Sequence, residues 1–445
     1  MKGFNQIHRH QQGSILLVVL GFLCITIGLV ITILDVASNS RRISQEQVDM
    51  EKAMYVAEGG LERGARFMES NLNVIVSSNT GMTNGSGTIG SGSYTFSIMR
   101  SNSSSTYFIV ATGTVSSALS GKGVRRVVSL LNVYQPTYAQ YALWSHVNGA
   151  IYFINGDVFS GHVHADDQLY FDNSSGGPVF HAAVTSDAGT YNGSITGIEF
   201  DQGLTLNSYQ GQMADIDFNS AASTSLKNEA KASGLYLTGN TTITFNGGTV
   251  SISNTHTNPT WSSHSYTLPT KGIIYVSNSG TTSGANAGII YITGGTVDAA
   301  VTLVSENDMH IEGNITYTHN PVTTPSTTDA LGLISQDSIT VDASMPNTAT
   351  IDAAMIAAGT SGDGDTGSFG FVNYNTGSAR GTLNVYGGIV QNTRGAVCQF
   401  NNGNGGLTHG YLKNYSYDSR FLSKPPPYYP TVSNQVTFSQ WSEGH

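Results

Sequence analysis

Twenty-one consecutive residues, SILLVVLGFLCITIGLVITIL at 14–34, carry no charge. Wound as an α-helix at about 1.5 Å per residue they extend about 31 Å, the thickness of a bilayer core. The run is therefore expected to span a membrane. A cleaved secretory signal has an apolar region of only about 7–15 residues, followed by small residues. VAS at 36–38 offers such a site, so cleavage behind the run is the rival reading. Lys2 and Arg9 precede the run and Arg41 and Arg42 follow it, which leaves the basic flanks nearly even. The free amino terminus and Asp35 tip the balance towards a cytoplasmic N-terminus.

The residues behind the run decide more. No proline occurs from 35 to 71, and Ile43, Gln47, Met50, Met54, Ala57, Leu61 and Gly64 recur at steps of three or four, a helical period. One helix is expected to continue from Ser14 to about Ser70, apolar in its first half and amphipathic in its second.

A short polar leader ending in Gly13, an apolar helix starting at Ser14, and EKAMYVAEGGLERGARF at 51–67 together resemble the N-terminus of PilX-type minor pilins within the type IV pilin-like proteins. The match to that family's Ala-Glu-x-Gly-Leu-like stretch is carried by Ala57, Glu58, Gly59, Gly60 and Leu61. The resemblance implies cutting between Gly13 and Ser14 by a prepilin peptidase, on the cytoplasmic side of the run, so that the span survives. Major pilins carry a glutamate at the fifth mature position, and here that place is Val18; the first acid is Asp35. A subunit without that carboxylate escapes its desolvation cost when no neighbour neutralises it, which suits a subunit that starts or caps a filament.

The whole chain is poor in charge, 11% against the roughly 25% usual in soluble proteins. It is crowded with Gly, Ser, Thr and Asn. Short strands with many turns are expected. Three candidates, at 94–99, 107–112 and 124–134, would form a small antiparallel sheet on the exposed half of the helix, and Pro136 marks a boundary. Beyond it β-branched segments bounded by glycine recur: GIIYVSNSG from Gly272, GIIYITGGTV from Gly288, TVDAAVTLVS at 296–305, LGLISQDSITV at 331–341, TIDAAMIAAG at 350–359 and YGGIVQNTRG at 386–395. Their spacing is irregular. Constant strand cores with loops of variable length predict a right-handed parallel β-helix of roughly ten coils, with a β-sandwich as the structural alternative. The expected organisation is a leader at 1–13, a transmembrane and amphipathic helix at 14–71, a pilin-like sheet at 72–135, a β-helical body at 136–430 and a C-terminal tail at 431–445. GDVFSGHVHADDQLYF (156–171), DALGLISQDSITV (329–341), RGTLNVYGGIVQNTRGAV (380–397) and YLKNYSYDSRFLSKPPPYYP (411–430) also resemble a β-rich domain, of no assigned activity, that is appended to pilin-like N-termini in bacterial surface proteins.

Chemistry is harder to find. With 19 Lys and Arg and a net charge of −10, no basic stripe is available for nucleic acid. The two cysteines, Cys24 inside the apolar run and Cys398, do not staple the fold. Serine-hydrolase, zincin and P-loop motifs are missing, and the clustered Asp, Lys and Arg of β-helical polysaccharide lyases are scarce. In HVHADD (162–167), His162 and His164 project to one strand face and could hold a transition metal with Asp166 or Asp167; the plainer reading is a turn hydrogen-bonded to the next coil. SGDGDTGS (361–368) resembles a calcium loop through Asp363 and Asp365, yet its motif occurs once where serial sites need repeats, so a solvated glycine loop is favoured. No catalytic residue, resident metal or cofactor is assigned. Exposed Tyr or Asn rows could bind glycans, and KPPPYYP (424–430) is expected to strap back over the last coil.

The reading is a non-enzymatic minor pilin or pseudopilin, a single-pass inner-membrane protein whose body lies outside the cytoplasm or at the cell surface. Its partners would be prepilin peptidase and other pilin-like subunits, and its surface or tip module is open to an adhesive role. The alternative is an anchored carbohydrate-active enzyme or glycan-binding surface protein.

Overall fold

The computed structural model describes residues 8–70, 82–100, 106–117, 123–134, 136–210, 225–268, 272–359, 366–401, 403–422, 424–432 and 437–444. It divides into two compact units. In the first, helix α1 (His8–Ser70) runs 63 residues without a break, about 95 Å. From Ile15 to Val36 its large apolar side chains are all exposed, and this half is long and apolar enough to cross a membrane. Farther on, Ala53, Ala57 and Met68 are fully buried.

The burial of that second half rests on small residues. Strands β1 (Met82–Ile89), β2 (Gly92–Arg100), β3 (Thr106–Ser116) and β4 (Gly123–Tyr134) form an antiparallel sheet with the strand Thr437–Gly444 beside β4. A Cβ on Gly113 of β3 would lie 2.2 Å from the Ala53 carbonyl oxygen and 2.4 Å from the Ala57 nitrogen, so the strand backbone touches the helix backbone there. Gly60 lies against Tyr94, and Gly64 against Phe96 and Ile109. The helix is thus flat from Gly60 to Gly64, and two aromatic rings lie on that face. The same rings explain β1, whose sequence MTNGSGTI lacks strand-like alternation: Gly85 pairs with Phe96 and Gly87 with Tyr94, and each ring covers its glycine. Residues 437–444, expected as part of a tail, are the fifth strand of this sheet. The chain between Tyr134 and Thr437 is therefore an insertion between its last two strands.

The inserted body is built on three parallel ladders. The first runs through Leu235–Thr238, Ile273–Ser277, Ala300–Ser305, Ala330–Ser335, the ends of Ala349–Ala357 and Ala379–Thr393, then Tyr141–Val147, His162–Ala165, Val184–Ser186 and Leu204–Thr205. A second passes through Met309–Ile311, Ile339–Val341 and Phe369–Phe371. The third passes through Ile315–Tyr317, the starts of Ala349–Ala357 and Ala379–Thr393, then Leu407–Tyr417, Val158–Ser160, Val179–Phe180 and Glu199–Phe200. Corners between ladders need glycine. Gly387, at φ 142°, would place a Cβ 2.2 Å from the Ala353 oxygen, and Gly388, at φ 126°, one 2.0 Å from the Tyr141 oxygen. The double glycines of the recurring segments are those corners.

The order of the ladders is not the order of the chain. The chain enters the first ladder in the middle, at Tyr141, and proceeds to Leu204–Thr205 at one end; it re-enters at Leu235–Thr238 at the other end and returns to the start. Ile389 then pairs with Leu143 and Tyr415 with Phe159. At this seam the two ends of the body meet: Thr137 bridges Thr431, Tyr138 N donates to the Pro430 oxygen at 3.2 Å, and Val432 N to the Pro136 oxygen at 2.8 Å.

Inward-facing Leu, Ile, Val and Phe fill the space between ladders. Phe159, Phe180 and Phe200 stack along the third ladder with centroids 5.2 Å apart at each step, each pair contributing about 1 kcal/mol beyond area burial. A second core covers the outer face of the first ladder: helix α2 (Leu226–Ser233), residues 138–139, Phe421, Tyr429 and Val432 pack on Trp144, Tyr275, Ile334, Ile356 and Val390. KPPPYYP belongs to this cover. Thr302 Oγ1 donates to the Pro427 oxygen, and Pro426 lies against Gly332, so the strap crosses the flank of the ladder and not the last coil.

Candidate functional site

On α1, Gly13 and Ser14 fall within the helix, and the side chain of Ser14 lies outside the described residues. Val18 is exposed, as is Asp35, in the uncovered half. Ala57 is buried and Glu58 half-buried at the sheet. The helix face that the resemblance singled out is thus a packing surface within this subunit. Asp363 and Asp365 lie outside the described residues.

The polar side chains of HVHADD converge on the first ladder, beside the second core. Leu143, Val163 and Val184 point inward, so alternation turns Trp144, His164 and Thr185, paired in register, to the outer face. Asp166 N donates to the Ser145 oxygen and Asp187 N to the Ala165 oxygen, and these bonds carry the ladder on to a column of His146, Asp166 and Asp187. His164 is completely buried. Its Nδ1 lies 2.8 Å from Thr185 Oγ1, and its Nε2 lies 3.0 Å from Asp166 Oδ1 and 3.6 Å from Asp187 Oδ1. Asp166 Oδ1 also accepts from Trp144 Nε1 at 2.9 Å, and its Oδ2 lies 2.8 Å from His146 Nδ1.

His162 stands apart from the carboxylates. Its Nε2 meets Thr185 Oγ1 at 2.7 Å, and burial, with His164 adding to it, pushes its pKa down to about 4. It is therefore neutral at physiological pH. Asp167 is used locally, accepting from the Gln168 and Asn148 backbone nitrogens. The cluster consists of His164, Asp166 and Asp187, not the expected pair of histidines. Asp187 was missed, although a signal existed: VHAD at 163–166 and VTSD at 184–187 repeat one coil apart, as does the less similar LWSH at 143–146. Burial raises the pKa of Asp187 first, opposed by His164, with Asp166 raising it further and the Gln210 backbone N–H lowering it.

Other clusters are more exposed or already fully used. His181 Nδ1 lies 2.9 Å from Asp201 Oδ2 with Glu199 nearby, all three exposed. His319 lies 3.1 Å from Asp329 and 3.6 Å from Asp298. Arg420 pairs with Asp418 and donates to the Thr327 and Asp329 carbonyl oxygens, pinning the strap. An open groove of about 450 Å³ beside His162 is lined by Ser160, His162, His181, Gln202 and Tyr417, among others, and has no Asp, Glu, Lys or Arg among the described residues of its wall.

No family model matches the sequence, and no curated protein matches it. Among solved structures, the competence-associated pilin ComZ from Thermus thermophilus aligns over 88% of this chain and 97% of its own, at 10% identity and a TM-score of 0.33. A likeness that low transfers neither fold nor role.

Proposed function

We propose that this chain is a minor pilin-like subunit, held in the inner membrane by α1 and drawn from there into a filament, with the inserted body carried outside the cytoplasm as a surface or tip module. The observation that carries the reading is the division of one unbroken helix: residues 15–36 have no protein cover, while Ala53, Ala57 and Met68 are buried against the sheet. An anchor alone needs the first half; a helix that must serve in membrane and filament needs both. Other pilin-like subunits would cover the exposed half after extraction, and prepilin peptidase would cut between Gly13 and Ser14. The parallel ladders support a β-helical winding of the body.

The reading is non-enzymatic. Asp352, Asp418 and Arg420 do converge, but Asp352 accepts from Tyr317 N and Arg420 holds the strap, and among the described residues the groove beside His162 is lined by no Asp, Glu, Lys or Arg. Those facts favour architecture over glycan hydrolysis. N-terminal sequencing of the mature protein is the test. A start at Ser14, blocked by a bulky replacement of Gly13, is expected; a start at Asn39 would overturn the proposal.

A further inference from the structure

We infer that His164, Asp166 and Asp187 bind one divalent transition-metal ion, with Zn²⁺ the chemistry that fits them best. The three ligand atoms lie within 4.8 Å of one another. Atoms held about 2.1 Å from a shared ion are about 3.0 Å apart at a right angle and about 3.4 Å apart at a tetrahedral one. The separations of 3.0 Å and 3.6 Å from His164 Nε2 bracket that range.

With both imidazoles neutral, proton counting gives a second reason. Thr185 has one hydroxyl proton and faces two imidazole nitrogens. In one arrangement His162 Nε2–H donates to Thr185, Thr185 donates to His164 Nδ1, and His164 Nε2–H donates to Asp166. Asp187 Oδ1 then stays buried with no hydrogen-bond partner among the described residues, a cost of about 1–3 kcal/mol. In the other arrangement His164 Nδ1–H donates to Thr185 and Thr185 donates to His162. Now the Nε2 lone pair and two carboxylate oxygens converge on one point, which a cation satisfies completely. Trp144 and His146 orient Asp166, and Thr185 orients His164, the outer support that bound metals have. One imidazole and two carboxylates suit zinc-like ions; calcium takes six to eight oxygens. The side chain of Asp187 is 22% exposed, which leaves a route for water to a fourth position. The ion would clamp neighbouring coils next to the seam.

The full-length protein in detergent, stripped with EDTA and dialysed against Zn²⁺, should retain one zinc per chain by elemental mass spectrometry. Calorimetric titration should show Asp187→Asn weakening binding by on the order of 100-fold, and Thr185→Val, which changes no ligand, by roughly 10–100-fold. Far-UV circular dichroism of each metal-free variant separates a lost ligand from a lost fold. His181→Ala should leave binding unchanged. Absence of stoichiometric zinc in the wild type, full affinity in folded Asp187→Asn, loss of binding in His181→Ala, or tighter binding of Ca²⁺ than Zn²⁺ would each overturn the assignment.

Discussion

Two ion pairs in this chain close to the same 2.6 Å, one on the surface of α1 and one at the seam of the body. Arg66 and Glu62 on α1 are more than half exposed; Lys413 and Asp157 are 3% and 0% exposed. Separation alone therefore says nothing of worth. At the seam Asp157 accepts from Lys413 Nζ, Lys413 N and Ile154 N, so the pair ties the last-wound coil to the first. At His164 burial is just as deep, yet Asp187 Oδ1 is left over. Asp157 accepts from three donors, whereas Asp187 Oδ1 has none among the described residues.

Removing one partner at the seam should have the largest effect. Lys413→Met leaves Asp157 charged without its ammonium partner and should cost about 3–5 kcal/mol in denaturant unfolding. A loss below about 1 kcal/mol would mean that the pair contributes no more than a surface bridge, and the contrast would fail.

Proton linkage separates the regions next. His162 is held near 4 against an ordinary 6.5, so the unfolded chain takes up its proton first as pH falls. Its contribution is complete above about 6.5 and is lost between there and 4, by at most about 3 kcal/mol. Asp352 works the other way. Burial, the leading cause, pushes it from 3.8 up to about 6, so its contribution is complete below 3.8 and drains as pH rises through 6. Stability curves should show both limbs. His162→Gln should flatten the acid one, and Asp352→Asn should raise stability at pH 7 by about 2 kcal/mol. A curve unchanged by either variant refutes that assignment.

The site makes a smaller stability prediction of its own. In metal-free protein at neutral pH, Asp187→Asn removes a buried carboxylate oxygen that lacks a donor, and should stabilise the fold by about 1 kcal/mol. Destabilisation measured under EDTA would show that this oxygen has a partner after all.

How much of this was legible depended on how local the cause is. The apolar run at 14–34 and the helical period beyond it are local patterns, and α1 follows them. Glycine-bounded β segments are local too, and the ladders contain them. Strand β1 was not legible, because MTNGSGTI becomes a strand only once Phe96 and Tyr94 cover its glycines. The seam was not legible either: Gln391 meets Ser145 across 246 positions, and no short pattern records that the body closes on its own beginning. Nor did any run of residues show that 437–444 returns to the first sheet. Of the site, His164 and Asp166 stood out through their type, whereas Asp187 needed the coil repeat. A ligand one coil away becomes visible only when the coil length is known.

The exposed pair sets the lower bound of the comparison. Arg66 Nη2 and Glu62 Oε1 stand four residues apart on one helical turn, a spacing that favours contact. Water competes for both ends, and holding two long side chains in one geometry costs rotamer entropy. Arg66→Ala should therefore change stability by about 0.5 kcal/mol or less, and added salt should reduce even that. The same salt should leave the cost of Lys413→Met nearly untouched, because ions do not reach a dry pair. If salt shifted both alike, the seam would be wetter than its burial indicates, and the distinction between the two pairs would collapse.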